Sequence, residues 1–266
     1  QRYAEVSGSY GSYNTHKETF KVGTGLLNNH WAFDARISSI NSDGYRDRAS
    51  ANLKSYFMQA GYFADNTSLK FITFGGKEKT YHAWDGISKD QLKSDRRFNP
   101  NGAIWGKSDT PEAYYDDQTD NYRQTHYQIL LNQLLSEKWN LNVALHYTNG
   151  KGFYQEYKEN RKLPEFGLIP FPDSEGNLIK KVDLVRKKNV SSGFGGGVFS
   201  FNYADNRMNA SIGGGLNKYK NNHYGRVLWI KNYIGELTAD HEYYRSVGEK
   251  IDGNIYARMN YELIDG

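Results

Sequence analysis

THYQILLNQLLSEKWNLNVALHYT, residues Thr125 to Thr148, decides the fold. From Trp139 one set of alternate positions reads Trp139, Leu141, Val143, Leu145, Tyr147, and the other reads Asn140, Asn142, Ala144, His146, Thr148. Apolar residues at every second position mark a strand, because successive side chains point to opposite faces. One face is thus apolar with an aromatic at each end, and the other is polar enough to meet water. The preceding limb carries Tyr127, Ile129, Leu131 and Leu135, with a turn at Ser136, Glu137 and Lys138, so the two limbs make a hairpin. Whether the apolar row meets a protein core or lipid decides the functional class.

The 266 residues are 38% hydrophobic and 15% aromatic, with 27 Gly, 22 Tyr and no Cys. That length suits one large β domain or two small ones. A mean hydropathy of -0.81 and the lack of an apolar run near the roughly 18 residues of a membrane helix exclude helical spans. They do not exclude a membrane barrel, in which only alternate strand residues need be apolar. The absence of Cys excludes a disulfide scaffold and thiolate-bound metal. A net charge of +4, with bases scattered among nearly as many acids, argues against nucleic-acid binding. The basic run Lys180 to Lys188 reads as a solvated loop. No charged and apolar leader opens the chain, so Gln1 is expected to be a mature terminus or a cut within a longer protein.

The same alternation recurs. Strand one spans about Tyr3 to Tyr13, strand two carries Phe20, Val22, Thr24 and Leu26, and Asn28 and Asn29 make the following tight turn. Strand three sets Trp31, Phe33, Ala35 and Ile37 against Asp34, Arg36 and Ser38, strand four carries Tyr56, Met58, Ala60 and Tyr62, and strand five covers about Ser68 to Gly76. The opening hairpin supplies six and seven. Strand eight bears Gly197, Phe199, Phe201 and Tyr203, strand nine Met208, Ala210, Ile212 and Leu216, and strand ten runs from Ile251 to Leu263. Long connections are expected at about 78–123, 150–192 and from 217 to Lys250.

Tight turns therefore follow strands two, four, six and eight, and longer connections follow three, five, seven and nine. Compact soluble domains rarely carry several such loops, whereas outer-membrane barrels have short periplasmic turns and long external loops. Trp31, Tyr62, Phe63, Trp139, Phe201 and Tyr203 lie beside the short turns, as in an interfacial aromatic girdle, and Tyr10, Tyr56, Tyr127 and Tyr147 lie toward the other end. The clear apolar faces of strands three, seven and ten hold no Lys or Arg. The pattern favours a transmembrane antiparallel β-barrel over a soluble sandwich.

Several motifs resemble TonB-dependent outer-membrane receptors. Glu5, Val6, Ser7 and Gly11 to Thr15 are similar to the start of their barrel, just after the plug domain, and Arg36, Ile37, Ser38 with Ser42 to Asp47 to their third strand and loop. Asp120 to Gln124, Gly150 to Tyr154 and His223 to Trp229 resemble the Bacteroidetes branch, particularly its iron-complex receptors. The resemblance implies a barrel of about 22 strands, of which residues 1–266 would be the first ten, with the plug and C-terminal strands absent. Leu263, Ile264, Asp265, Gly266 would enter a turn and lack the terminal aromatic of such barrels. It further implies import of a scarce small-molecule ligand such as a ferric siderophore, the TonB energising complex and outer-membrane lipid as partners, and no catalysis or cofactor. Haem, cobalamin, oligosaccharide or peptide are alternative cargoes.

Ligand-binding candidates are the aromatic and polar loop residues His82, Trp84, Arg96, Arg97, Trp105, Tyr114, Tyr115, Tyr154, Tyr157, His223, Tyr224 and Trp229. Rings offer stacking area, and Arg engages carboxylate or catecholate oxygens. Asp116, Asp117 and Asp120 lack a calcium-loop pattern, and the histidines lack paired metal spacing. A ten-stranded outer-membrane protease using His82 with Asp85, Asp109, Asp116 or Asp117, and a soluble β adhesin, are the alternatives of other classes.

Overall fold

The computed structural model describes residues 1–235, 237–238 and 241–263. Ile264, Asp265 and Gly266, expected to enter a turn, lie outside the described residues. Ten strands form one antiparallel sheet in chain order: β1 (Tyr3–Gly11), β2 (Thr15–Gly23), β3 (Trp31–Ser42), β4 (Ala51–Ala64), β5 (Thr67–Tyr81), β6 (Thr119–Leu134), β7 (Trp139–Lys162), β8 (Lys181–Ala204), β9 (Met208–Ile230) and β10 (His241–Tyr261). The order is a meander with β1 and β10 at its edges.

Residues directly opposite in antiparallel strands share a face, so the register extends the hairpin's two faces across the sheet. Tyr127 pairs with Tyr147, Ile129 with Leu145 and Leu131 with Val143. Val143 continues to Phe199, and Leu141 to Phe201. On the other side Ile129 meets Phe71, Phe71 meets Ala60, Ala60 meets Phe33 and Phe20 meets Ile37. This apolar face is not a core. Ile37, Leu145 and Ile255 are 54%, 49% and 75% exposed, and no second layer covers them among the described residues.

At the short-turn end Trp31 lies 4.9 Å from Tyr62, and Trp139 lies 4.6 Å from Phe201 and 4.8 Å from Tyr203, ring centre to ring centre. Phe63 departs from that expected girdle. It pairs with Ser68 one position off the apolar row and lies 5.7 Å beneath the Lys70 ammonium, on the polar face. Asn28 and Asn29 take positive φ of 47° and 60°, as the Asn-Asn turn predicts.

The polar face is laced by side-chain hydrogen bonds. Asn132 Nδ2 donates to Asn142 Oδ1 (2.6 Å), Asn142 Nδ2 donates to Ser200 Oγ (3.3 Å), and His146 Nε2 lies 2.9 Å from Asn217 Oδ1. Glycine at 213 leaves room for the Tyr256 ring, which a Cβ there would meet at 2.7 Å.

Two expected long connections are largely strand. β7 and β8 continue to Lys162 and from Lys181, leaving 163–180 between them, and β9 and β10 leave only 231–240. β7 to β10 are 24, 24, 23 and 21 residues long, about twice the 9–11 that cross a bilayer. Beyond Tyr147 the same alternate positions read Asn149, Lys151, Phe153, Gln155 and Tyr157, mixing polar with aromatic residues, so the period-two signal fades while backbone pairing continues. The connection expected at about 78–123 shortens least, to 82–118. The basic stretch from Lys181 likewise belongs to β8 rather than to a solvated loop.

The buried apolar residues sit in this extended end. Leu163, Phe166, Leu168 and Phe171 of the 163–180 connection pack on Val182, Leu184, Val227 and Ile230. Pro164 starts the short helical turn Leu163–Phe166, and Gly167 (φ 67°) ends it in the left-handed conformation glycine favours.

Candidate functional site

The 82–118 connection is a cap folded onto the ends of β4 to β7. Arg46, in the β3–β4 turn, donates to the carbonyls of Ala83 (2.7 Å), Asp85 (3.0 Å) and Phe98 (3.3 Å). The Asn99 amide, fully buried, donates to the carbonyls of Asp47 (3.0 Å) and His82 (2.8 Å). From β7, Glu159 accepts from the backbone N–H groups of Trp105 (3.1 Å) and Gly106 (3.0 Å). Buried backbone groups need such partners, and a long loop supplied with them holds a defined surface.

The twelve candidates separate into distinct groups. His82, Trp84 and Tyr154 form one cluster: the His82 and Trp84 rings stack at 3.9 Å, and Tyr154 stands edge-on at 6.0 and 5.5 Å from them. Tyr154 is separated from His146 by an even number of residues with unbroken pairing, which places it on the polar face. On that face the sequence reading missed Glu156 and Arg186, directly opposite one another. Arg186 donates to Glu156 at 2.7 and 2.8 Å, Lys158 lies 3.2 Å from the same carboxylate, and Lys188 stands 5.8 Å over the Tyr154 ring. The signal was present as Glu156, Lys158 and Arg186, Lys188, charges two apart in each of two strands.

Burial alone would raise the Glu156 carboxyl, but Arg186 and Lys158 outweigh it and hold the group below the usual carboxylate range. Burial also lowers the His82 imidazole below its ordinary value. Among the described residues no side chain hydrogen-bonds either His82 ring nitrogen. None of the proposed catalytic acids Asp85, Asp109, Asp116 or Asp117 therefore holds it as a protease dyad would require.

Tyr115, Tyr157 and Trp229 make a second group, 6.2 Å apart in each successive pair. Tyr157 shares the alternation of Tyr147 and so continues the apolar face upward. Its hydroxyl donates to Asp183 (3.1 Å), which Lys231 also holds at 3.2 Å. Burial first and Asp183 second raise the Tyr157 phenol well above its usual value. Tyr224 belongs to this face too, with Arg245 and Arg226 4.4 and 5.1 Å from its ring. His223 falls on the polar face and bonds Asn221 at 2.8 Å.

The remaining candidates brace the cap. Tyr114 lies 3.4 Å beneath the Arg48 guanidinium, Arg97 pairs with Asp47 at 3.1 Å, and Trp105 packs edge-on to Phe98 at 6.4 Å. Arg96 is exposed. The polar-face group of His82, Trp84, Tyr154, Glu156, Arg186 and Lys188 is thus where aromatic area and charge converge.

No protein-family model and no curated protein matches this sequence. Solved structures do. The ferric citrate transporter FecA, unliganded, aligns with TM-score 0.59 at 12% identity over 96% of this chain and 38% of that one. BauA, the ferric preacinetobactin receptor from Acinetobacter baumannii, aligns with TM-score 0.61 at 9% identity over 98% of this chain and 39% of that one. The RagAB peptide importer aligns with TM-score 0.58 at 11% identity over 94% of this chain and 30% of that one. This chain therefore spans well under half the length of these three proteins, and what it shares with them is the fold: an antiparallel β-barrel wall with short turns at one end and long strands and loops at the other.

Proposed function

We propose that the chain is part of the barrel wall and external loops of an outer-membrane receptor that imports a scarce ligand, energised through TonB. The observation that carries this reading is the two-faced sheet. An uncovered apolar face bounded by aromatic rings suits lipid, and a hydrogen-bonded polar face suits a lumen. Two unpaired sheet edges cannot stand in hydrocarbon, so the reading calls for further strands, a plug domain and the TonB-contacting segment to complete the receptor, about 22 strands in all.

In this orientation the short turns face the periplasm and the cap faces outside. Trp84, Tyr154 and Lys188 overlook the entrance to the lumen, with His82 buried behind Trp84 and Arg186 held by Glu156, and stacking area beside a cation suits a planar anionic ligand. An iron–siderophore complex is the leading cargo, supported by the resemblance to Bacteroidetes-type iron-complex receptors and by the ferric cargoes named for FecA and BauA. The fold likeness to a peptide importer supports peptide as the second reading. The protein acts by binding and admitting its cargo, without catalysis.

Deleting the gene and measuring uptake of radioiron from a panel of ferric siderophores, alongside labelled oligopeptides, tests both. The siderophore reading expects iron uptake to fall to background with peptide uptake intact. The opposite pattern selects the peptide reading, and unchanged uptake of both overturns the import of either.

A further inference from the structure

We infer that the apolar face carries, immediately beyond its hydrophobic band, a docking surface for the phosphate groups of an anionic membrane lipid; this rests on the barrel reading above. Four cations stand directly opposite one another on four adjacent strands: Lys54 of β4 pairs with Lys77 of β5, Lys77 with Arg123 of β6, and Arg123 with Lys151 of β7. All four are exposed, and none has a carboxylate at ion-pair distance among the described residues. Like charges facing one another across a ladder destabilise it. A row of four is therefore a feature that the fold must tolerate for another reason, and a bound polyanion removes the repulsion.

Position identifies the anion. Along each strand the next same-face residues toward the short-turn end are Tyr56 below Lys54, Thr125 and Tyr127 below Arg123, and Asn149 and Tyr147 below Lys151. The row thus runs along the upper edge of the apolar band, at headgroup height. A groove of about 670 Å³ joins the two levels, with Val6, Phe20, Ile37 and Tyr56 at its apolar end and Lys54, Lys77 and Arg123 at its cationic end, while Glu18, two strands beyond Lys54 in the same row, bounds it on the far side. A second groove of about 390 Å³ lies further round the same face, over Gly193 and Gly195, with Tyr147 beside Lys218, and its other cation, Lys220, is paired with Glu249 at 2.7 Å. An acyl chain below a phosphate matches this order of apolar and cationic surface, whereas a soluble anion needs only the cations. On the polar face Arg186 and Lys158 are already paired with Glu156.

The test uses the complete protein, extracted from its own membrane and placed in nanodiscs of zwitterionic lipid alone, or with a tenth of the lipid replaced by a phosphomonoester-bearing lipid such as phosphatidic acid. Thermal melting is compared for the native protein, the variant K54Q/K77Q/R123Q/K151Q, and the polar-face control Lys70→Gln. The native protein and the control should melt several degrees higher with phosphatidic acid. The quadruple variant should lose at least half of that rise while melting no lower in zwitterionic discs, since its substitutions relieve repulsion. Native mass spectra should show retained phospholipid falling in step. An equal rise in the quadruple variant overturns the inference, as does the same rise from inorganic phosphate added to zwitterionic discs, which would make the site one for a soluble anion. If the quadruple variant melts lower in zwitterionic discs, retained phospholipid per folded protein decides, and equal retention overturns the inference. Failure of the native protein to enter bilayers at all would overturn the barrel reading instead, and is scored separately by heat-modifiable migration.

Discussion

The middle of the strands and their far ends are held together in opposite ways. Between Trp139 and Tyr147 the sheet has no core: Leu145 on one face is half exposed, and Asn140 and Asn142 on the other are hydrogen-bonded to their neighbours. Beyond Lys158 the same strands surround a conventional buried cluster in which Leu163, Phe166, Leu184 and Val227 are at most 1% exposed. One region leaves its apolar surface for an outside solvent to cover, and the other buries its own. A sheet that can build a core at one end and omits it along the whole band is shaped for two environments.

Emptying the buried end should uncouple the two regions most strongly. Phe166→Ala removes a fully buried ring that packs 4.9 Å from Tyr243 and should cost about 3–5 kcal/mol of local stability. Hydrogen exchange should then accelerate over 163–184 and 227–230, while amides of the Trp139–Tyr147 band stay protected. Loss of protection in both regions together would show that they are one cooperative core.

Val143→Lys probes the other region. A cation at the centre of a lipid-facing row should cost about 2–4 kcal/mol, whereas Asn142→Lys, one residue away on the polar face, should change folding in bilayers by well under that. Equal costs would remove the distinction between the faces. A smaller effect is expected from Asn142→Ala, which deletes the side chain linking Asn132 to Ser200 and should cost about 1 kcal/mol, again within the band alone.

The band was legible in the sequence because lipid and water impose opposite demands on alternate residues, so Trp139 to Tyr147 and Ile251 to Tyr261 carry the pattern unaided. The extended strands were not. Gly150 and Gly152 pair in the ladder beneath the Tyr122 side chain, and Lys187 stands over the Phe153 ring; glycine and lysine at these positions leave no regular apolar alternation, so there is no period to read. The candidate loop residues were chosen by chemistry, and strand parity then separated them: Tyr154 and His223 on the polar face, Tyr157 and Tyr224 on the apolar one. Only pairing register carries that information. Glu156 and Arg186 escaped because each looks like a solvated charge until the other is placed opposite it.

The smallest expected effect is titration of the loop end. His82 and Glu156 both have folded pKa values below their unfolded ones, so each contributes stability that is present above its unfolded pKa and lost as pH falls toward the folded one. The cap should weaken in two steps, the first as pH drops below about 6.5 and the second below about 4.3. His82→Phe should abolish the first step only. Exchange protection of 82–118 followed between pH 8 and 4 measures both, and a cap that tightens on acidification would contradict the assignment.

Residues 1–266 contain no Cys, so the complete protein, with any cysteine outside them replaced by serine, permits the most direct test of the two-faced sheet. Single cysteines at each position from Asn140 to Tyr147, in the complete protein in bilayers, are to be challenged with a membrane-impermeant maleimide and with a quencher confined to acyl chains. Labelling should alternate with period two: 140, 142, 144 and 146 react from water, and 141, 143, 145 and 147 are quenched from lipid. Protection of the odd positions from both reagents would place them in a protein core and contradict the account.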